Sequence, residues 1–111
     1  MDVSIMPRGP GLAVAQLQGR LDLLSAPDVK ARLAAMVAAG QRRLVVDLAQ
    51  VQFIDSSGLG ALIGGLKVAR QAGGDLRIAC PGEQARMVLQ LTTLDRILRP
   101  YGSVEDALAG F

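Results

Sequence analysis

The chain has 111 residues but no histidine, no tryptophan, one cysteine and only three aromatic rings. Without histidine, neither a Ser–His–acid triad nor a histidine metal site can be built. Cys80, alone, can form neither an internal disulfide nor a thiolate metal cluster, and this cysteine usage fits a reducing cytoplasm. Few aromatics mean that the core must come from Leu, Val, Ile, Ala and Met. No apolar run approaches the roughly 18 residues that cross a bilayer, so no membrane insertion is expected. Met1 leads directly into the strand-like Val3-Ser4-Ile5, and no signal peptide is expected.

Charge of either sign is sparse and scattered. The net charge is +2, and the basic residues are scattered, with Arg42-Arg43 the one adjacent pair and Arg96 and Arg99 spaced. Nucleic-acid binding needs a clustered basic face, so no nucleic-acid partner is expected. Acidic residues are dispersed rather than set at metal-ligand spacing. Two phosphate-loop patterns nearly match and fail. Gly58-Leu59-Gly60 reaches Gly64 with three intervening residues where a dinucleotide fingerprint needs two, and Leu66 stands where a P-loop needs lysine. Lys67 is about three helical turns from Ser56, too far to activate it. The chain reads as a binding module without a cofactor, acted on by an enzyme rather than being one.

What is present centres on Arg43 to Ala72. Leu44-Val45-Val46-Asp47-Leu48 reads as a strand buried on both faces. Leu59, Leu62, Ile63, Leu66 and Ala69 form one helical stripe facing a sheet. Between them, Asp55, Ser56 and Ser57 are all helix-capping types. Two serine hydroxyls therefore stand at a helix N-terminus, where free amides and the helix dipole favour an anion, including a phosphate carried by serine. Such a phosphate would bring roughly −1.5 to −2 charges. Beside Asp55 it would change the affinity of any docked surface.

The remaining elements follow in order. Met1–Met6 and Leu12–Gln18 read as two strands joined by the turn-rich Pro7–Gly11, and Gly19–Asp22 ends the second. Ser25-Ala26-Pro27-Asp28 has the pattern of a capping box, starting a helix with Val29, Leu33, Met36 and Val37 on its inner face and a stop at Gly40. Leu76–Cys80 is a further strand, with Cys80 as a small core residue. Glu83–Leu94 is a helix expected to turn Met87, Val88, Leu91 and Leu94 inward. Ile97-Leu98 is a candidate edge strand, and Ser103 caps a short last helix. Gly60, Gly64 and Gly65 inside the central helix each cost about 1 kcal/mol against alanine, which close packing would explain.

The run DSSGLGALIGGLKVARQAGG, from Asp55 to Gly74, resembles the signature of the STAS family, the bacterial anti-sigma factor antagonists. The resemblance extends to Gly19-Arg20-Leu21-Asp22, where the family usually has GELD, to Ser25–Asp28, to Leu89–Asp95 and to Ser103–Leu108. Arg20 departs from the usual glutamate, which bears on kinase preference or partner charge, and Thr93 from the usual glycine. It implies one STAS domain over residues 1–111: an α/β fold with a mixed, mostly parallel sheet of four to five strands, about four helices and an N-terminal antiparallel hairpin. It also implies partner switching. The unphosphorylated protein binds an anti-sigma factor that is also a serine kinase; phosphate on Ser56, or alternatively Ser57, releases it; a serine phosphatase resets it. Asp22, Asp55, Ser56, Ser57, Gly58 and Leu59 would form the partner-binding site of a cytoplasmic monomer that enters heterocomplexes. Two other roles fit the same residues: a structural subunit of a stress-signalling assembly or of a lipid-transport ATPase complex, and an anion- or nucleotide-binding module.

Overall fold

The structure, a computed structural model, describes residues 1–111. Five strands, β1 (Asp2–Gly9), β2 (Leu12–Leu21), β3 (Arg43–Ile54), β4 (Asp75–Ala79) and β5 (Pro100–Tyr101), lie in one sheet in chain order. β1 and β2 pair antiparallel, and every other pair is parallel. The hairpin turns at Pro10-Gly11, with Gly9 and Gly11 at positive φ, and β1 runs past the expected Met6 to Gly9 because Pro7 pairs with Ala13 and Gly9 with Leu12. The later strands are parallel because each is joined to the next through a helix. The joining helices are α1 (Ala26–Ala38), α2 (Ser56–Gln71) and α3 (Glu83–Leu91), the last followed by a 3₁₀ turn at Leu94–Arg96, and α4 (Val104–Leu108) comes after β5. No helix is long and apolar enough to cross a membrane.

Leu44 to Leu48 of β3 are all buried, as an unbroken apolar run predicts for a central strand. Leu44, Val46 and Leu48 join Ala13, Ala15 and Leu17 of β2 under α1 and α2. Val45 faces the other way, toward Val14, Ala79 and Ala107 of α4. Asp47, the one charged residue of the run, is buried where the β2–β3 register shifts, and its Oδ1 accepts the Ala49 N–H at 3.0 Å. That bond occupies an amide the bulge would otherwise orphan.

All three aromatic rings carry a guanidinium. Arg20 lies 4.3 Å from the Phe53 centroid, and Arg77 lies 5.4 Å from Tyr101 and 4.3 Å from Phe111. Arg77 Nη1 also donates to the Ala107 and Ala109 carbonyls, closing the end of α4.

Several local expectations change. β2 continues through Gly19-Arg20-Leu21, and β3 through Ile54, because these two extensions pair with each other. Ser25 precedes α1 without capping it: its Oγ accepts the Asp22 N–H and donates to the Arg20 carbonyl at 2.7 Å. α3 ends at Leu91, and Ala85 and Leu89 are its buried residues; Met87 and Leu91 are exposed. The edge strand is Pro100–Tyr101 rather than Ile97-Leu98; Leu98 is fully buried and Ile97 exposed. Cys80 lies beyond β4, half-buried at φ +55.

Two α2 glycines are demanded by packing, Gly58 against the end of β2 and, farther along, Gly65. A Cβ there would fall 2.7 Å from Leu33 Cδ1 of α1 and 3.2 Å from Leu76 Cδ1 of β4. Gly64 is covered by the aliphatic stem of Lys30, whereas nothing approaches Gly60.

Candidate functional site

β2 and β3 end side by side, with Leu21 paired to Ile54, so the β2–α1 loop and the start of α2 are neighbours. Asp55 is the N-cap of α2, extended at φ −115 and ψ −174. Its Oδ1 accepts the Gly58 N–H at 2.9 Å and its carbonyl accepts the Leu59 N–H at 3.0 Å. The amides of Ser56 and Ser57 remain as the free donors of the first turn. Ser56 is exposed and Ser57 half-buried.

The other oxygen of Asp55, Oδ2, accepts the Leu23 N–H at 3.1 Å. Asp22 holds the same loop from within, its Oδ1 accepting the amides of Leu24 and Ser25 at 3.1 and 3.3 Å. Partial burial raises the Asp22 pKa, but the Ser25 and Leu24 amides and the Arg20 guanidinium outweigh it and hold the carboxyl below its ordinary value of 3.8. Arg20 Nε lies 3.6 Å from Asp22 Oδ2. The arginine in place of the family's glutamate thus sits directly against Asp22.

With their amides held, the side chains of Leu23 and Leu24 project into solvent, 69% and 89% exposed. Large apolar residues on an anchored loop mark a contact surface better than scattered ones do. Beside them lies a groove of about 460 Å³, walled by Leu23, Pro27 and Lys30 on one side and Ser57, Gly60 and Ala61 on the other. Gly60 keeps the helix backbone accessible at this wall, which packing within the chain does not require. A more polar depression of about 530 Å³, lined in part by Gln18, Arg20, Asp22 and Gln52, lies next to Leu24.

Of the six residues expected to meet a partner, Asp22, Asp55, Ser56 and Ser57 come together around this loop. Gly58 and Leu59 do not belong to the surface. Leu59 is 1% exposed and joins the core, and a Cβ on Gly58 would strike the Leu21 carbonyl and lie 2.8 Å from Leu21 Cγ. Their place is beneath the site, letting α2 sit against the end of β2. Leu23 and Leu24 were missed from sequence. Their signal was two consecutive leucines between a strand end and a helix start, in a stretch with no alternating or helical periodicity to bury them.

The STAS domain family model matches residues 5–107. BtrV of Bordetella bronchiseptica is 33% identical over 106 residues, covering 96% of this chain and 91% of that protein. The anti-sigma-F factor antagonist RsfB of Mycobacterium tuberculosis is 29% identical over 102 residues, covering 90% and 81%. Among solved structures, the anti-sigma factor antagonist SpoIIAA in its unphosphorylated form superimposes with a TM-score of 0.82 at 20% identity, over 96% of this chain and 93% of that one. The phosphorylated form of SpoIIAA, from Bacillus, gives 0.74 at 19% identity, over 96% of each chain. At that identity the likeness is one of fold, and it matches the hairpin, the parallel strands and the helices described above. On its matched sequence and its fold, the chain belongs to the STAS domain family.

Proposed function

We propose that this chain is an anti-sigma factor antagonist that works by partner switching, with Ser56 as the phosphoacceptor. The observation that carries the reading is an exposed serine at the first position of α2, set beside an anchored loop that holds two leucines in solvent. Unphosphorylated, the face made by Leu23, Leu24 and the groove at Ser57 docks on an anti-sigma factor that is also an ATP-dependent serine kinase. Burying the leucines supplies the apolar part of the contact. A neutral Ser56 hydroxyl is tolerated at such an interface. A phosphate there adds roughly −1.5 to −2 charges beside the Asp55 carboxylate, and a docked surface then suffers desolvation and repulsion. The partner lets go, and a serine phosphatase restores the hydroxyl. The names of RsfB and SpoIIAA, and the existence of SpoIIAA in both phosphorylation states, support this assignment. The working unit is one STAS domain over residues 1–111, a cytoplasmic monomer that forms heterocomplexes.

Intact-mass analysis of the protein purified from its host, with peptide mapping, tests the assignment. One phosphate on Ser56 is expected in part of the population. Phosphate on Ser57 would move the acceptor by one residue, and an unmodified chain under every growth condition tried would overturn the switch.

A further inference from the structure

β3 outruns its neighbour. Its pairing with β4 stops at Asp47 and Ala79, so Leu48 to Ile54 have no strand on that side. On the other side, Ile54 is paired with Leu21, and the following amide, Asp55 N–H, donates to the Leu21 carbonyl at 3.3 Å. The N–H and C=O of Ile54 itself face the vacant side. Ile54 is 1% exposed, and leaving both groups unpaired there would be unfavourable.

A side chain replaces the missing strand. Ile54 N–H donates to Gln84 Oε1 at 2.9 Å, and Gln84 Nε2 donates to the Ile54 carbonyl at 2.8 Å. The carboxamide makes the two bonds that a neighbouring strand would supply from two separate peptide groups, and it does so from the first turn of α3, thirty residues along the chain. Ser56 is two residues beyond Ile54, and Asp55 between them is already committed as the α2 cap. No slack residue separates the clamp from the serine.

Resting on the reading of Ser56 as phosphoacceptor, we propose that Gln84 is a positioning residue for phosphate transfer. It sets where α2 begins, and hence where the Ser56 hydroxyl is presented, by holding Ile54 between Leu21 and α3. The role requires one donor and one acceptor on the same side chain. A glutamate of equal length supplies only acceptors when ionised, and its second oxygen would oppose the Ile54 carbonyl. Methionine supplies similar bulk and neither bond.

The experiment compares ¹⁵N-labelled wild type, Gln84→Glu and Gln84→Met by amide spectra and hydrogen-exchange protection, and by the initial rate of phosphate incorporation into Ser56 with ATP and host lysate as kinase source. Both variants are expected to give dispersed spectra of a folded domain. Protection of the Ile54 amide should fall about tenfold, resonances from Asp55 to Gly58 should move, and the rate should drop about tenfold or more. At pH about 5 the carboxyl introduced by Gln84→Glu, facing a carbonyl, gains a proton and becomes a donor, so this variant should regain protection while Gln84→Met does not. Mere space-filling would give no such rescue. Wild-type protection and rates in both variants, or a Gln84→Glu protein whose protection ignores pH, would overturn the proposal. Should Gln84→Met not fold, the pH titration of Gln84→Glu decides alone. If wild type itself takes no phosphate, the Ser56 reading falls, and the clamp is judged on protection and its pH dependence.

Discussion

The Oδ2 oxygen of Asp55 lies 3.1 Å from the backbone nitrogen of Leu23, while Oδ1 of the same carboxylate caps α2 at Gly58. One side chain therefore fixes both the helix that carries Ser56 and the loop that carries the exposed leucines. Losing a capping oxygen costs about 0.5–2 kcal/mol. Asp55→Ala should lower stability by about 1–2 kcal/mol in urea unfolding, with the amides of Leu23 and Gly58 losing protection together. Asp55→Asn keeps an acceptor for Gly58 but presents an NH₂ toward Leu23, so it should free the loop while largely sparing the cap.

Thr93 occupies the left-handed region, at φ +57 and ψ +14, just after α3. A β-branched residue is strained there, by an amount of order 1 kcal/mol. Thr93→Gly removes the strain and restores the family's usual residue. An increase of up to about 0.5 kcal/mol in unfolding free energy is expected, the relief of about 1 kcal/mol of strain being offset in part by glycine's larger backbone entropy, about 0.5–1 kcal/mol. A lower urea midpoint would show that the hydroxyl contact to the Thr92 carbonyl at 2.6 Å outweighs the backbone strain.

Leu23 and Leu24 do no packing of their own, so Leu24→Ser should change stability by less than about 0.5 kcal/mol. Its effect should appear in binding. Against the anti-sigma factor recovered from the host with wild-type protein, titration calorimetry is expected to show a loss of tenfold or more, on the order of 1.5 kcal/mol for one buried leucine. Ser56→Asp should weaken the same complex and Ser56→Ala should preserve it. Equal affinity of Leu24→Ser and wild type would place the contact surface elsewhere.

Asp22 gives the loop a pH dependence of definite sign. Its carboxyl titrates below its unfolded value, so the ionised form is favoured by folding. The stabilisation is complete above the ordinary carboxylate pKa, and it is lost as pH falls through the lowered folded-state value. In the acid range, below the ordinary 3.8, the stability of wild type should decline more steeply than that of Asp22→Asn. Parallel curves would mean that the Leu24 and Ser25 amides hold a neutral side chain equally well.

What the sequence determined by itself is whatever follows from local periodicity and local hydrogen bonding. The order of elements, the doubly buried run of β3, the inner faces of α1 and α2, and a capped start of α2 within Asp55–Ser57, where Asp55 proves to be the cap, all depend on residues within a few positions of one another. Tertiary structure decided the rest. β2 and β3 lengthen because each supplies the other's ladder partner, and no local signal reports a partner about thirty residues away. α3 turned Ala85 and Leu89 inward, leaving Met87 and Leu91 in solvent, because its packing against the core beside β3 selects the face. The two bonds that shape the site, Asp55 to Leu23 and Gln84 to Ile54, span 32 and 30 residues. They exist because the parallel strands β2 and β3 bring their ends and the following helix starts to one end of the sheet, where a carboxylate and a carboxamide can satisfy backbone groups that no strand reaches.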